Sequence, residues 1–353
     1  MIIATVFYLY LLKPDSANGR VLIWTVSANM IKDKPILGFG SNGFDTKYMD
    51  YQAMYFKDNP ESQYSMLADN PIHPMNEFLL IGINYGTIGI LIVFILLILS
   101  FYLIYKYGGK LKSVILGSLV ALVIWSFFSY PLRYPSVGLV AFFYIIYLLG
   151  QSPKIKISFK YSMLSRFVII LICLTILEFC YICIDAELRW KRNTTVPIEL
   201  MNENEQDNIL NEYRELHKVL GSNQYFLYNY GATLNTIKLY TESHIIIAQC
   251  QKISNNYEIQ LLQGDNSFNL GDIDQAIKYY TNISYMIPSR YMPLYKLFVL
   301  YDAIGQEQEA LRIARMIVSK KMKVSSLPAF EIIRIAKQYI DSKNNFTHYQ
   351  PLY

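Results

Sequence analysis

From Phe78 to Leu177 this chain of 353 residues contains neither Asp nor Glu. An average soluble domain carries roughly 25% charged residues with both signs mixed, so a stretch this long without an acid points to lipid. Four apolar runs fill it, at 77–105, 113–130, 134–150 and 166–184. Each is close to or beyond the roughly 20 helical residues that cross a hydrocarbon core. A fifth run, 1–12, is too short to span alone and lacks the basic start and the cleavage site of a secretory signal. It reads as the end of a truncated transmembrane helix, with Met1 inside what was a longer one, so the chain is expected to be the C-terminal part of a larger membrane protein.

Basic residues set the orientation. One short connection carries Lys106, Lys110 and Lys112, and another Lys154, Lys156, Lys160 and Arg166. The positive-inside rule makes both cytoplasmic. The 13–76 loop, the turn at 130–134 and everything after 185 then lie on the outer side. The formal charge of +5 belongs wholly to the part before residue 184, where 14 Lys+Arg stand against 9 Asp+Glu; the rest has 18 of each. The surplus therefore reports orientation and gives no support to nucleic-acid binding. Cys173, Cys180, Cys183 and Cys250 form no disulfide framework and read as buried apolar residues, and His73, His217, His244 and His348 lack zinc-site spacing. No metal is expected.

After Trp190 the chain turns polar with helical periodicity. Leu270-Gly271 recurs as Ile304-Gly305 after 34 residues, Ala276 as Ala310, and Ser267 aligns with Tyr301. This is the tetratricopeptide period, with Gly at the tight turn and Ala where paired helices close on each other. A degenerate unit at about 224–253 precedes the pair, and a helix at about 327–341 caps it. The fold class is all-α: a polytopic transmembrane bundle (77–184), then a soluble repeat domain (185–353) of the kind that docks a protein partner.

The outer loop concentrates unusual residues. Pro35, Gly38, Gly40 and Gly43 prescribe a fixed turn; no strand precedes GFGSNGF, so it is not a nucleotide fingerprint. His73 stands where the loop meets the next helix, with Asn76 a candidate N-cap and Glu77 favoured by the helix dipole. Gly19-Arg20, Trp24, then Asp33-Lys34-Pro35-Ile36-Leu37-Gly38-Phe39-Gly40, then Asn76-Glu77-Phe78-Leu79 leading to Gly86-Thr87-Ile88-Gly89 resemble the O-antigen ligase and polymerase superfamily. The tail resembles that of a subgroup. The resemblance implies a bacterial inner-membrane glycosyltransferase with a periplasmic loop and tail. It would move a glycan from an undecaprenyl diphosphate carrier to a lipid A core or other glycan acceptor, without a cofactor.

A leaving diphosphate needs fixed cations, and Arg is the best bidentate partner for phosphate oxygens. Arg20 is the candidate, with Lys34 assisting. An acceptor hydroxyl needs a base, and His73 is the candidate, with Asp69 as substitute and Asn76 and Glu77 binding substrate. Many members of the superfamily place the His directly before the Asn; here Met75 stands there and His73 lies three positions before Asn76. Related alternatives are a polysaccharide polymerase or a ligase that glycosylates protein. A different class is a non-catalytic membrane-anchored scaffold or an inactive fragment.

Overall fold

A computed structural model describes residues 13–151, 163–195 and 197–347. The expected helix end at 1–12 and the connection carrying Lys154, Lys156 and Lys160 lie outside the described residues. Within them the chain is all-α.

The stretch 13–76 folds into two helices, α1 (Pro14–Asp33) and α2 (Gly43–Asp58), followed by a run of turns. Pro14 opens α1, where its missing N–H costs nothing, and Asp15 and Lys32 suit the two dipole ends. Leu22, Val26 and Met30 recur at helical spacing and are fully buried. Arg20, expected just after a membrane helix, lies within α1.

Next come α3 (Glu77–Tyr107), α4 (Lys112–Ser126) and α5 (Pro135–Gln151), packed together through Ile104, Ile115 and Leu148. Then α6 (Met163–Asn193) runs without a break from its apolar length into the tail. Glu77–Tyr107, Gly109–Ser126 and Arg166–Asn193 are long and apolar enough to cross a membrane, while α5 is a shorter apolar helix of 17 residues. Cys250 is buried as expected, but Cys173 and Cys180 are exposed on α6. An outward-facing helix surface is apolar where its surroundings are lipid, so an apolar neighbourhood in sequence did not mean burial in protein.

The tail is a stack of antiparallel helices: α7 (Glu203–Leu220), α8 (Gln224–Thr236), α9 (Tyr240–Gln251), α10 (Tyr257–Asn269), α11 (Ile273–Met286), α12 (Met292–Ala303), α13 (Glu307–Ser319) and α14 (Leu327–Thr347). The turns after α10 and α12 match bond for bond. Asp272 N donates to Ser267 O and Gln306 N to Tyr301 O, both at 2.9 Å, with Gly271 and Gly305 at φ 82° and 74°. This is the Schellman end of a helix, which needs a left-handed residue. The turn after α8 makes the same bond, Leu239 N to Leu234 O, around Lys238 at φ 66°. Ala276 and Ala310 are fully buried.

One hydrophobic core joins α1, α2 and the start of α3 to α10–α14. Polar bonds lock the junction: Asp50 accepts from the amides of Asn255, Gln260 and Asn282 at 3.0, 2.8 and 3.1 Å, and the Gln52 amide donates to Met286 O at 2.7 Å. At the other end, Arg189 pairs with Glu212 at 2.6 Å and Trp190 donates to Asn229, fixing α6 to the tail. The 13–76 segment and the tail are thus one body.

Candidate active site at the start of α3

The turn 34–43 braces a break in α3. Gly86 has φ 63° and ψ −157°, which interrupts the helix and frees backbone groups on either side. The turn satisfies them: Phe39 N donates to Ile83 O and Gly40 N to Asn84 O, both at 2.9 Å, while Thr87 N donates to Pro35 O at 2.7 Å. Contact is so close that a Cβ on Gly86 would sit 2.2 Å from Ile36 O, and one on Gly38 2.5 Å from the Asn84 backbone. The Asn84 side chain bonds Phe44 N and Ser41 O. The glycine-rich motif is therefore the brace of a broken membrane helix.

Over the start of α3 lies the connection between α4 and α5. Asn76 caps α3, accepting from Leu79 N at 3.0 Å, and its amide donates to Phe127 O at 3.1 Å. Glu77, almost fully buried, accepts from Leu132 N at 3.0 Å. Both side chains that were expected to bind substrate thus tie α3 to this turn.

His73 sits beneath it. It is 7% exposed, its ring lies 4.4 Å from that of Tyr130, and its Nδ1 is buried without a hydrogen-bond partner among the described residues. Burial, and then the charge of Arg133, lower its pKa to about 4, against a smaller raising influence of the Ile72 backbone. It is a neutral imidazole at neutral pH. Next to it Pro74 O accepts from the Trp24 indole at 2.9 Å, and Met75 is held at φ 54°, a conformation rare for a residue with a side chain. Strain of this kind is tolerated where surrounding contacts over-determine it, often at functional sites.

Arg20 lies one turn before Trp24, half-buried and without an ion pair among the described residues. Lys34 follows the far end of α1, about 15 Å along the axis from Trp24, with its ammonium over the Phe39 ring at 4.9 Å. Asp69 faces the tail, 3.9 Å from Arg290. The structure therefore gathers His73, Asn76 and Glu77, with Arg20 a turn away, and leaves Lys34 and Asp69 elsewhere. Arg133 was not anticipated as a site residue. It is 44% exposed, pairs only loosely with Asp45 at 3.9 Å, and its charge acts on His73. The available signal was that it is the only charged residue in the turn 130–134.

Residues 5–94 match the family described as O-Antigen ligase. A protein of Rickettsia conorii named as a candidate polysaccharide ligase is 34% identical over 110 residues, which cover 30% of this chain and 22% of the relative. A counterpart in Rickettsia typhi is 30% identical over 135 residues, 38% of this chain and 29% of the relative. The matched stretch is thus less than a third of the curated relatives' length. The crystal structure of MamA protein aligns with a TM-score of 0.35 at 17% identity, covering 45% of this chain and 88% of that one. Arg20, the brace 34–43, His73 and the break at Gly86 all lie in the segment, residues 5–94, that matches the O-antigen ligase family.

Proposed function

We propose that this chain acts as a glycosyltransferase of the O-antigen ligase type on the outer face of a bacterial inner membrane. The acceptor is a hydroxyl of lipid A core or another envelope glycan, and the donor is a glycan on undecaprenyl diphosphate. Helices 77–184 sit in the membrane in this reading, with the 13–76 segment and the tail both periplasmic; their shared core supports putting the two on the same side. In the reaction the acceptor oxygen attacks the anomeric carbon, the bond from that carbon to the carrier phosphate breaks, and the diphosphate leaves with the electron pair. His73 takes the hydroxyl proton. Arg133 and Arg20 stabilise the departing diphosphate.

The observation that carries this reading is a buried imidazole with an unpartnered nitrogen beside a loosely held arginine, inside the family-matched segment. The low basicity of His73 suits the empty site. Burial is the larger cause of that low basicity and Arg133 the smaller; a diphosphate against Arg133 offsets the arginine's part and leaves the part due to burial.

Deleting the gene and examining envelope glycans tests the reading. Loss of capped lipopolysaccharide with accumulation of carrier-linked polymer is expected. Single-repeat products would instead make it a polymerase, and unchanged glycans would overturn both.

A further inference from the structure

Between the 13–76 segment and the tail lie two hollows of about 200 and 500 Å³ that share Asp45, Gln224 and Tyr225. The inner one reaches Ile72, the neighbour of His73, and Asp45 is the partner of Arg133. The two hollows adjoin at those three residues and form a cleft whose inner part extends toward the chain segment that carries His73.

Its walls have the chemistry of saccharide recognition. Tyr225 at the start of α8 is 61% exposed, although the residues after it, Phe226 and Leu227, are fully buried. Tyr225, Gln224, Asn42 and Ser222 line the wider hollow, and their side-chain polar groups have no hydrogen-bond partner among the described residues. Asp45 adds a half-buried carboxylate whose pKa burial raises and Arg133 lowers. An aromatic face beside amides, hydroxyls and a carboxylate fits a polar ring with apolar C–H faces and many hydroxyls. It suits neither an apolar helix nor a phosphate.

We propose that this cleft is a glycan subsite built jointly by α2 and the tail, holding sugar units of the saccharide whose reacting end reaches His73. The inference rests on the glycosyltransferase reading and deepens it. It gives the tail a share in choosing the substrate through Tyr225 and Gln224. Tyr225 is the anchor: its exposed ring can stack on the C–H face of a sugar, and its removal is expected to weaken binding by roughly tenfold, about 1.4 kcal/mol.

The test uses the full chain in nanodiscs, with oligosaccharides released by mild acid from the envelope of the producing cell as the probe. Hydrogen exchange at 42–45 and 222–225 is followed with and without the probe. Protection is expected at both segments, retained in His73→Ala, reduced about tenfold in apparent affinity in Tyr225→Ala, and largely kept in Tyr225→Phe. Absence of protection at 222–225, or equal affinity in Tyr225→Ala, would overturn the subsite. Those results leave the His73 chemistry standing. Saccharide protection in a chain whose gene deletion leaves envelope glycans unchanged supports the subsite and removes the transferase.

Discussion

His73 joins two properties that follow from one position. Burial keeps its imidazole neutral, and the same burial leaves Nδ1 with no partner among the described residues. Folding therefore excludes a proton that the unfolded chain accepts. With the native pKa lowered to about 4 from 6.5, the unfolded state binds more protons between those values. The contribution of His73 to stability is fully present above pH 6.5, falls as pH drops below it, and levels off below about pH 4. A His73→Gln variant should show a shallower loss of thermal stability between pH 6.5 and 4 than the parent, measured by unfolding in detergent across that range. Identical slopes would mean that the ring is solvated. The position of His73 was readable in the sequence because it stands at a loop-to-helix junction beside Asn76. The role of Arg133 was not. Its approach to His73 and Asp45 depends on the α4–α5 turn folding back over α3, a contact between residues some 60 apart in the chain that no local pattern encodes.

At the scale of elements, the helices were legible and their interruptions less so. Unbroken apolar runs give α3 and α6, but the sequence does not tell that α3 opens at Gly86 to receive the turn 35–40. Glycines at 38 and 86 were visible as turn and helix residues; that they touch each other's backbones is a property of the fold alone. Gly86→Ala places a methyl 2.2 Å from Ile36 O in a left-handed backbone conformation. It should cost at least about 2 kcal/mol, since the positive φ alone costs on the order of 1–3 kcal/mol. Lower yield and a reduced unfolding temperature are the expected readouts, and a variant as stable as the parent would mean that the brace yields easily. The repeats show the same mixture. Gly271 and Gly305 mark two turns plainly, whereas the first unit puts Lys238 in the left-handed position, so its register was visible only as a degenerate outline.

Across the whole molecule, the largest surprise is that the 13–76 segment and the tail share one core. Sequence charge placed both on one side of the membrane; their union comes from apolar faces far apart in the chain and from Asp50 collecting three amides. Hydrogen bonds to a charged group contribute about 1.5–3 kcal/mol each when buried. Since this carboxylate is only partly buried, Asp50→Ala should cost about 2 kcal/mol in total and make the junction between α2 and the tail more open to limited proteolysis. Unchanged proteolysis would place the strength of the junction in its apolar contacts instead. This union puts a charge-rich repeat domain directly behind a buried histidine, so the proposed substrate choice and the proposed chemistry belong to one body. The most direct test is to replace the native gene with a His73→Ala copy at equal expression and to assay glycan transfer. The account predicts a loss of about 100-fold or more, in keeping with removal of a general base, with carrier-linked polymer accumulating. Full transfer by that variant would contradict it.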